Sequence, residues 1–408
     1  MEHQEETSEH IASSDVRGFL IYHGIGSGKT YTALMAIDKI TKRFADFKRI
    51  YCISPNVINK NFISEMEKFG YNFKIRTIDY TEKKAKIPES FENSIIIFDE
   101  VHIFNNELLA YNLVAKEIFN KIKSTKMIKI ISISGTPIYN TPFDASILIN
   151  LLTIDDEFPR SGDEFEKLYI NTFSYRIYRA GQFREKFRGK VSYFEGFRGT
   201  ELIPTDLGLS ILSHPMTDVH TKMYNASRDK SRAIIALSAE IPGKFATLYD
   251  VIKKINKESG KIFIYCQYRE INELLAKYLT SLRFSSFIVA NKENVDEAIE
   301  DFNNSDTKIL IGDESLSTGV TLLNTRYCFI LDVPEKYGKL QQIIGRTIRL
   351  CSHSGLSEKN RNVKFYLVFS TLFDSNTSDD FKNFDAIRLY HKINNDALSY
   401  IQEAADLV

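Results

Sequence analysis

Tryptophan is missing altogether from the 408 residues, cysteine occurs four times, and acidic and basic residues cancel at 53 each. The cysteines (Cys52, Cys266, Cys328, Cys351) lie far apart with no CxxC pair, which argues against a zinc ribbon or a disulfide framework and fits a reducing compartment. With no net charge, nothing global points to nucleic acid or to a membrane surface, so any basic surface must be local. No apolar run approaches the length of a membrane span, and no membrane partner is expected. The polar, acidic stretch 1–14 lacks the basic-then-apolar order of a secretory signal, so the chain reads as intracellular and cytoplasmic. Short-period repeats and low-complexity segments are absent too. Isoleucine, lysine, asparagine, phenylalanine and tyrosine are plentiful instead, a compositional mark of an AT-rich genome.

What is present is ordinary globular composition, 43% hydrophobic and 26% charged, long enough for two to four domains. Short isoleucine-rich runs alternate with amphipathic, helix-like stretches. Residues 19–22, 49–54, 95–98 and 130–134 read as strands, each followed by polar, Gly or Pro residues. The pattern recurs at 261–266, 286–290, 308–311, 327–331 and 363–369. Near-continuous apolar strands separated by helices predict parallel sheets covered on both faces, an α/β fold in two similar units. The predicted divisions are 1–150, an intervening helical and basic region 151–238, a second α/β domain 239–370, and a C-terminal helix 371–408. Within the intervening region, residues 171–200 carry seven cations (Arg176, Arg179, Arg184, Lys186, Arg188, Lys190, Arg198) against Glu185 and Glu195, interleaved with Tyr and Phe. This stretch is either a solvated helical face or a surface for a phosphate backbone.

Three strand ends in the first unit carry chemistry. Gly24-Ile25-Gly26-Ser27-Gly28-Lys29-Thr30 lies between a strand and a helix. Its glycines let backbone N–H groups close around phosphates, and the helix N-terminus adds a positive dipole end. Lys29 would reach the β- and γ-phosphates, with Thr30 on a magnesium ion. The strict pattern has glycine where this chain has His23. Roughly 70 residues on, the apolar run 95–98 delivers Asp99-Glu100-Val101-His102. Asp99 is suited to hold Mg²⁺ and Glu100 to orient and deprotonate an attacking water; His102 on its own reads as structural. Ser134-Gly135-Thr136-Pro137 ends the next strand, where Thr136 can sense a γ-phosphate. Ser54-Pro55-Asn56 is either a plain turn or a contact to a nucleic-acid backbone. In the second unit, Ser317-Thr318-Gly319-Val320-Thr321 is followed by Gln342-Ile343-Ile344-Gly345-Arg346-Thr347-Ile348-Arg349. A helix there would set Arg346 and Arg349 three residues apart on one face, suited to a triphosphate bound on the other domain.

In this order the motifs resemble those of the DExH class of superfamily 2 helicases, over roughly residues 17–370. The glycine-rich loop is like motif I, Asp99–His102 like motif II, Ser134–Pro137 like motif III, Ser317–Thr321 like motif V and Gln342–Arg349 like motif VI. Ser54–Asn56 stands where motif Ia would, and Ile262–Cys266 looks like motif IV. Arg17–Gly24, Gly189–Phe194 and Gly345–His353 are similar to segments in ATPases of large cytoplasmic DNA viruses, the poxvirus-type early transcription factor small subunit and nucleoside triphosphatase I. The resemblance implies two RecA-like domains around ATP·Mg²⁺. Gly24, Gly26, Ser27, Gly28, Lys29, Thr30, Asp99, Thr136 and Gly319 would bind the nucleotide, and Glu100, Gln342, Arg346 and Arg349 would serve hydrolysis. It implies a nucleic-acid-dependent ATPase acting on DNA rather than RNA in viral-type transcription, with RNA polymerase or transcription factor subunits as partners, and packaging in a virion. The alternative is an ATP-switched assembly subunit of a transcription complex that never separates strands. A glutamine motif that reads adenine is not recognised, Gln4 being the sole glutamine nearby upstream.

Overall fold

The computed structural model describes every residue except Ser14, 25–26, Thr172, 196–202, 236–241, 317–319, Leu350, 373–377 and 406–408. The chain forms two units, Met1–Gly196 with Leu389–Val408, and Phe197–Arg388.

The first unit holds strands β1 (Gly18–His23), β2 (Arg49–Ile53), β3 (Ile75–Ile78), β4 (Ser94–Asp99), β5 (Ile128–Ile133), the short antiparallel pair β6 (Ile170–Asn171) and β7 (Arg176–Ile177), and β8 (Val191–Phe194). Six of them make one parallel sheet in the order β3-β2-β4-β5-β1-β8. Both faces are buried, which is why its strands read as continuous apolar runs. Along β1, Phe19 and Ile21 join one core with Ala33 and Ile37 of the helix Lys29–Arg43, while Leu20 and Tyr22 join the other with Phe98 and Phe104.

The second unit repeats the plan with β9 (Thr205–Pro215), β10 (Lys261–Tyr265), β11 (Phe287–Val289), β12 (Ile309–Gly312), β13 (Thr325–Ile330) and β14 (Asn362–Thr371), parallel in the order β11-β12-β10-β13-β14-β9. Ile262 and Ile264 face one core, Phe263 and Tyr265 the other. Each unit thus has a six-stranded parallel sheet, as the pattern of apolar strands predicted.

The span 151–238 is shared between the units. Phe158, Phe165, Phe183 and Phe187 pack into the first unit, and β9 with Tyr224 into the second. The helix Asp379–Ala405 is likewise shared: Phe381 and Ile387 pack in the second unit, Ile393, Ala397 and Ile401 in the first. Strands β3, β8 and β9, unmarked in the sequence reading, lie at or beside sheet edges. Among the described residues no helix is long and apolar enough to cross a membrane.

Candidate nucleotide site

β1 runs buried into Gly24, whose N–H donates to Phe194 O at 2.7 Å and so continues the β8 pairing into the loop. The Gly24 carbonyl accepts from Ser27 Oγ at 2.7 Å and from Lys29 Nζ at 3.1 Å. Gly28 caps the helix Lys29–Arg43 in the left-handed region at φ 78°, a conformation glycine adopts freely. A Cβ there would also run into Gln4 Nε2. Lys29 and Thr30 therefore open the helix at its positive end, where phosphates are favoured. Gly26 falls outside the described residues.

Two features of this loop were not read from the sequence. Gln4, buried on the helix Glu2–Ile11, donates from Nε2 to Ser27 O at 3.2 Å and Gly28 O at 3.4 Å, so it lies on the phosphate loop itself. His23, in the place of the strict pattern's glycine, is an anchor. Its Nε2 lies 2.8 Å from Ser192 Oγ, which lies 2.8 Å from Thr7 Oγ1. Burial, with His3 and Lys29 nearby, pushes His23 down to about 3 and keeps the ring neutral.

β4 ends in Asp99, and Glu100 follows with φ 53°, left-handed without being glycine and capping the helix Val101–Leu109. Such a conformation costs of order 1–3 kcal/mol and is retained where it aims a functional group. Burial and the adjacent Glu100 carboxylate push Asp99 up to about 7, against the pull of Lys29. A Cβ on Gly135 would lie 3.6 Å from Lys29 Nζ, which sets the Ser134–Pro137 turn beside the loop. His102, read as structural, joins the two turns: its Nδ1 is 3.3 Å from Glu100 Oε2 and 3.2 Å from Ser134 Oγ, and its ring stacks on Tyr139. Ser134 Oγ in turn accepts the Thr136 N–H at 3.0 Å. Ser54 donates from Oγ to Asp99 O at 2.8 Å, so this hydroxyl braces the end of β4.

A magnesium ion suits this donor set. Asp99 and Thr30 offer hard oxygens, and a divalent cation would relieve the cost of the buried Asp99 charge. Among the described residues no cluster of three His, Cys, Asp or Glu exists to hold it alone, as expected for an ion that keeps waters and phosphate oxygens.

In the second unit the arginines depart from the expected helix face. The helix Tyr337–Ile344, which carries Gln342, ends at Gly345; Arg346 follows in a turn and Arg349 lies beyond it in irregular chain. The chain turns because Leu322 N–H takes the Arg346 carbonyl at 3.0 Å and Thr347 Oγ1 donates back to Ile344 O at 2.9 Å. Arg349 donates to Gly345 O at 3.2 Å and to Thr321 Oγ1 at 3.5 Å. Arg346 is 7% exposed, and its Nη1 has no hydrogen-bond partner among the described residues. Ser317, Thr318 and Gly319 fall outside the described residues.

The helicase conserved C-terminal domain family matches residues 243–351, within the second unit. The chain is 23% identical to the putative ATP-dependent RNA helicase R563 of Acanthamoeba polyphaga mimivirus, over 89% of this chain and 81% of that protein. It is 24% identical to the putative ATP-dependent RNA helicase L538 of the same virus, over 93% and 91%. The 70 kDa subunit of the early transcription factor of vaccinia virus (strain Ankara) is 23% identical, over 92% and 72%. The chain carries a helicase conserved C-terminal domain and is similar to viral helicases over most of its length. It is a helicase-type ATPase related to viral transcription factors.

The basic segment of this helicase-type ATPase is more neutral in the fold than in the sequence. Arg184 pairs with Glu403 at 2.7 Å, Lys186 with Glu157 at 3.1 Å and Arg188 with Glu185 at 3.5 Å, while Lys190 donates to Lys186 O at 3.1 Å. Three cations of the expected phosphate surface thus have carboxylate partners. Arg198 falls outside the described residues.

Proposed function

We propose that this chain is a nucleic-acid-dependent ATPase that couples hydrolysis of ATP to translocation on, or remodelling of, DNA in viral-type transcription. The observation that supports this most is the contact chain Glu100–His102–Ser134–Thr136, which ties the strand-end carboxylates to the turn beside Lys29. A group that senses the γ-phosphate is thereby linked to the group that would act on water.

In this reading Gly24, Ser27, Gly28, Lys29 and Thr30, with Gly26, hold the phosphates. Mg²⁺, held by Thr30 and Asp99, would neutralise charge developing on the phosphate oxygens. Glu100 orients the water and takes its proton. Gln4 holds the loop from behind through two carbonyls. The buried Arg346 presents an unpaired N–H, and an unmatched buried donor is costly enough to favour an arriving acceptor. A phosphate oxygen answers that need, and Arg349, Gln342 and Gly319 are the further residues that the helicase resemblance assigns to the nucleotide. An arginine supplied in this way would stabilise the transition-state charge.

A second reading keeps ATP binding but makes the chain an assembly subunit beside an RNA polymerase or other transcription factor subunits, in the cytoplasm or packaged in a virion. Its support is the vaccinia relative, an early transcription factor subunit. ATP turnover measured against single- and double-stranded DNA and RNA, beside a strand-displacement assay, separates the two. Stimulation by DNA supports the first reading, and RNA as the better activator changes its substrate. Turnover indifferent to every nucleic acid overturns it in favour of the second.

A further inference from the structure

The structure divides the basic, aromatic segment into two parts of different character. Residues 184–190 are tied down by carboxylates and a backbone carbonyl. The hairpin ahead of them, β6 and β7 with their turn, has among its described residues one long carboxylate contact, Arg176 to Asp396 at 4.0 Å. Residues 170–180 contain Phe173, Tyr175, Tyr178, Arg176 and Arg179 and no acid.

The hairpin is held firmly while its rings stay in water. Asn171 Oδ1 accepts the N–H groups of Phe173 at 2.9 Å and Ser174 at 3.0 Å. Lys392 donates to Ser174 O at 3.0 Å, Tyr178 OH to Lys167 O at 3.1 Å, and Tyr178 N–H to Tyr169 O at 3.1 Å. Ile177 is buried beneath as the anchor. Yet Phe173 is 98% exposed, Tyr178 47% and Tyr175 40%. The Arg179 guanidinium lies 5.4 Å from the Tyr178 ring centre, and Arg176 reaches only 4.0 Å from Asp396 with most of its side chain in solvent. A single exposed phenylalanine is unremarkable. Three exposed rings with two arginines, on a hairpin held by five hydrogen bonds among its described residues, form a platform whose ordering cost is already met.

We propose that this hairpin tip stacks on unpaired bases of a nucleic-acid strand. Aromatic faces accept any base, and the arginines favour the adjoining phosphates while stacking in their own right. A protein partner with an apolar pocket would seek the rings but not the arginines that accompany them. The proposal rests on the reading that the chain acts on nucleic acid, and it identifies the part of the strand that is held.

Because the chain has no tryptophan, Phe173→Trp introduces a single indole at a nearly fully exposed position without disturbing a core. Its emission should be quenched saturably by a mixed-sequence single-stranded DNA oligonucleotide, and left unchanged by inorganic polyphosphate of equal charge. Phe173→Ala should weaken binding of that oligonucleotide roughly tenfold, within the ~5- to 150-fold expected for loss of one stacked base. Phe173→Tyr should restore it, and Phe173→Leu, apolar without a π face, should not. Unchanged emission at saturating oligonucleotide, with turnover still stimulated by nucleic acid, overturns the hairpin assignment and leaves the proposed function standing. Equal quenching by polyphosphate, or quenching by duplex alone, overturns base stacking. Absence of both stimulation and binding in the unsubstituted protein removes the functional reading, and the hairpin proposal with it.

Discussion

The two parallel sheets end in carboxyl edges of opposite character. In the first unit the groups singled out by pattern hold one another: Lys29 on Gly24, Ser54 on Asp99, and His102 on both Glu100 and Ser134. In the second, Arg349 is held by Gly345 and Thr321, whereas Arg346 is buried with a guanidinium N–H unmatched. The first edge is a preformed cradle, built before a ligand arrives. The second carries a buried guanidinium with one N–H unmatched among the described residues, so it has most to gain from an anion it does not own. Binding and acceleration would therefore be separable by mutation.

The largest separation is expected at Arg346. Arg346→Ala should lower turnover by about 10³- to 10⁵-fold, the range for a supplied arginine, while nucleotide affinity changes little. Turnover and affinity are to be measured beside thermal unfolding. A fall in turnover matched by loss of folding or binding would make Arg346 a structural cation and erase the contrast between the edges.

A smaller loss is expected on the other side. Glu100→Gln keeps shape and hydrogen bonding but removes the base, and should cut turnover by roughly 10²- to 10⁴-fold with ATP still bound. Lys29→Ala should instead weaken nucleotide affinity, since it removes a cation from the phosphates. Wild-type turnover in Glu100→Gln would mean that another group orients the water.

How far the sequence carried depends on whether an element is strongly periodic or placed by contacts distant in the chain. The central strands β1, β4, β5, β10 and β13 are buried on both faces, so each writes itself as a largely apolar run. β3 has two exposed residues of four, and β9 is largely exposed, so neither shows such a run. The phosphate loop and the two strand-end turns were legible because glycine and paired carboxylates have few other uses at strand ends. Gln4, Ser192 and the bracing role of Ser54 were not, because their partners lie 23, 169 and 45 residues away. The Arg346–Arg349 pair was misread as helical since a Gln-x-x-Gly-Arg run has helical spacing; the turn is made by Leu322, far upstream.

Asp332 offers a test of moderate size, on stability. It follows β13 as Asp99 ends β4, and burial raises it to about 7 although Gln267 N–H, Lys339 and Lys244 all favour its charge. Between the ordinary aspartate value and about 7, the folded unit holds a proton that the unfolded chain has released. This contribution is complete at low pH and is lost as pH rises through that window. Asp332→Asn should flatten the decline and raise Tm at pH 8 by roughly 2–4 °C, the shift given by ~1 kcal/mol in a unit of this size. A variant less stable at pH 8 than the parent would show that the Asp332 charge is used, as the Asp99 charge is expected to be.

The smallest effect concerns the cations that looked most like a nucleic-acid surface. If Arg184, Lys186 and Arg188 each neutralised a phosphate, replacing all three with Ala would reduce the log–log salt slope of binding by about 0.7–0.9 apiece. Each instead faces a carboxylate, from Glu403, Glu157 or Glu185, and removing a cation leaves that acid to solvent and counterions. Exposed pairs of this kind are worth roughly 0–1 kcal/mol, so folding should survive the triple replacement. The slope should then change by less than one phosphate's share, and the unstimulated ATPase rate should stay at the parent's value. Binding titrations across a salt series decide it. A slope lowered by two or more would mean that nucleic acid displaces the three acids, and that ion pairs formed in the free protein are exchanged for phosphates on binding.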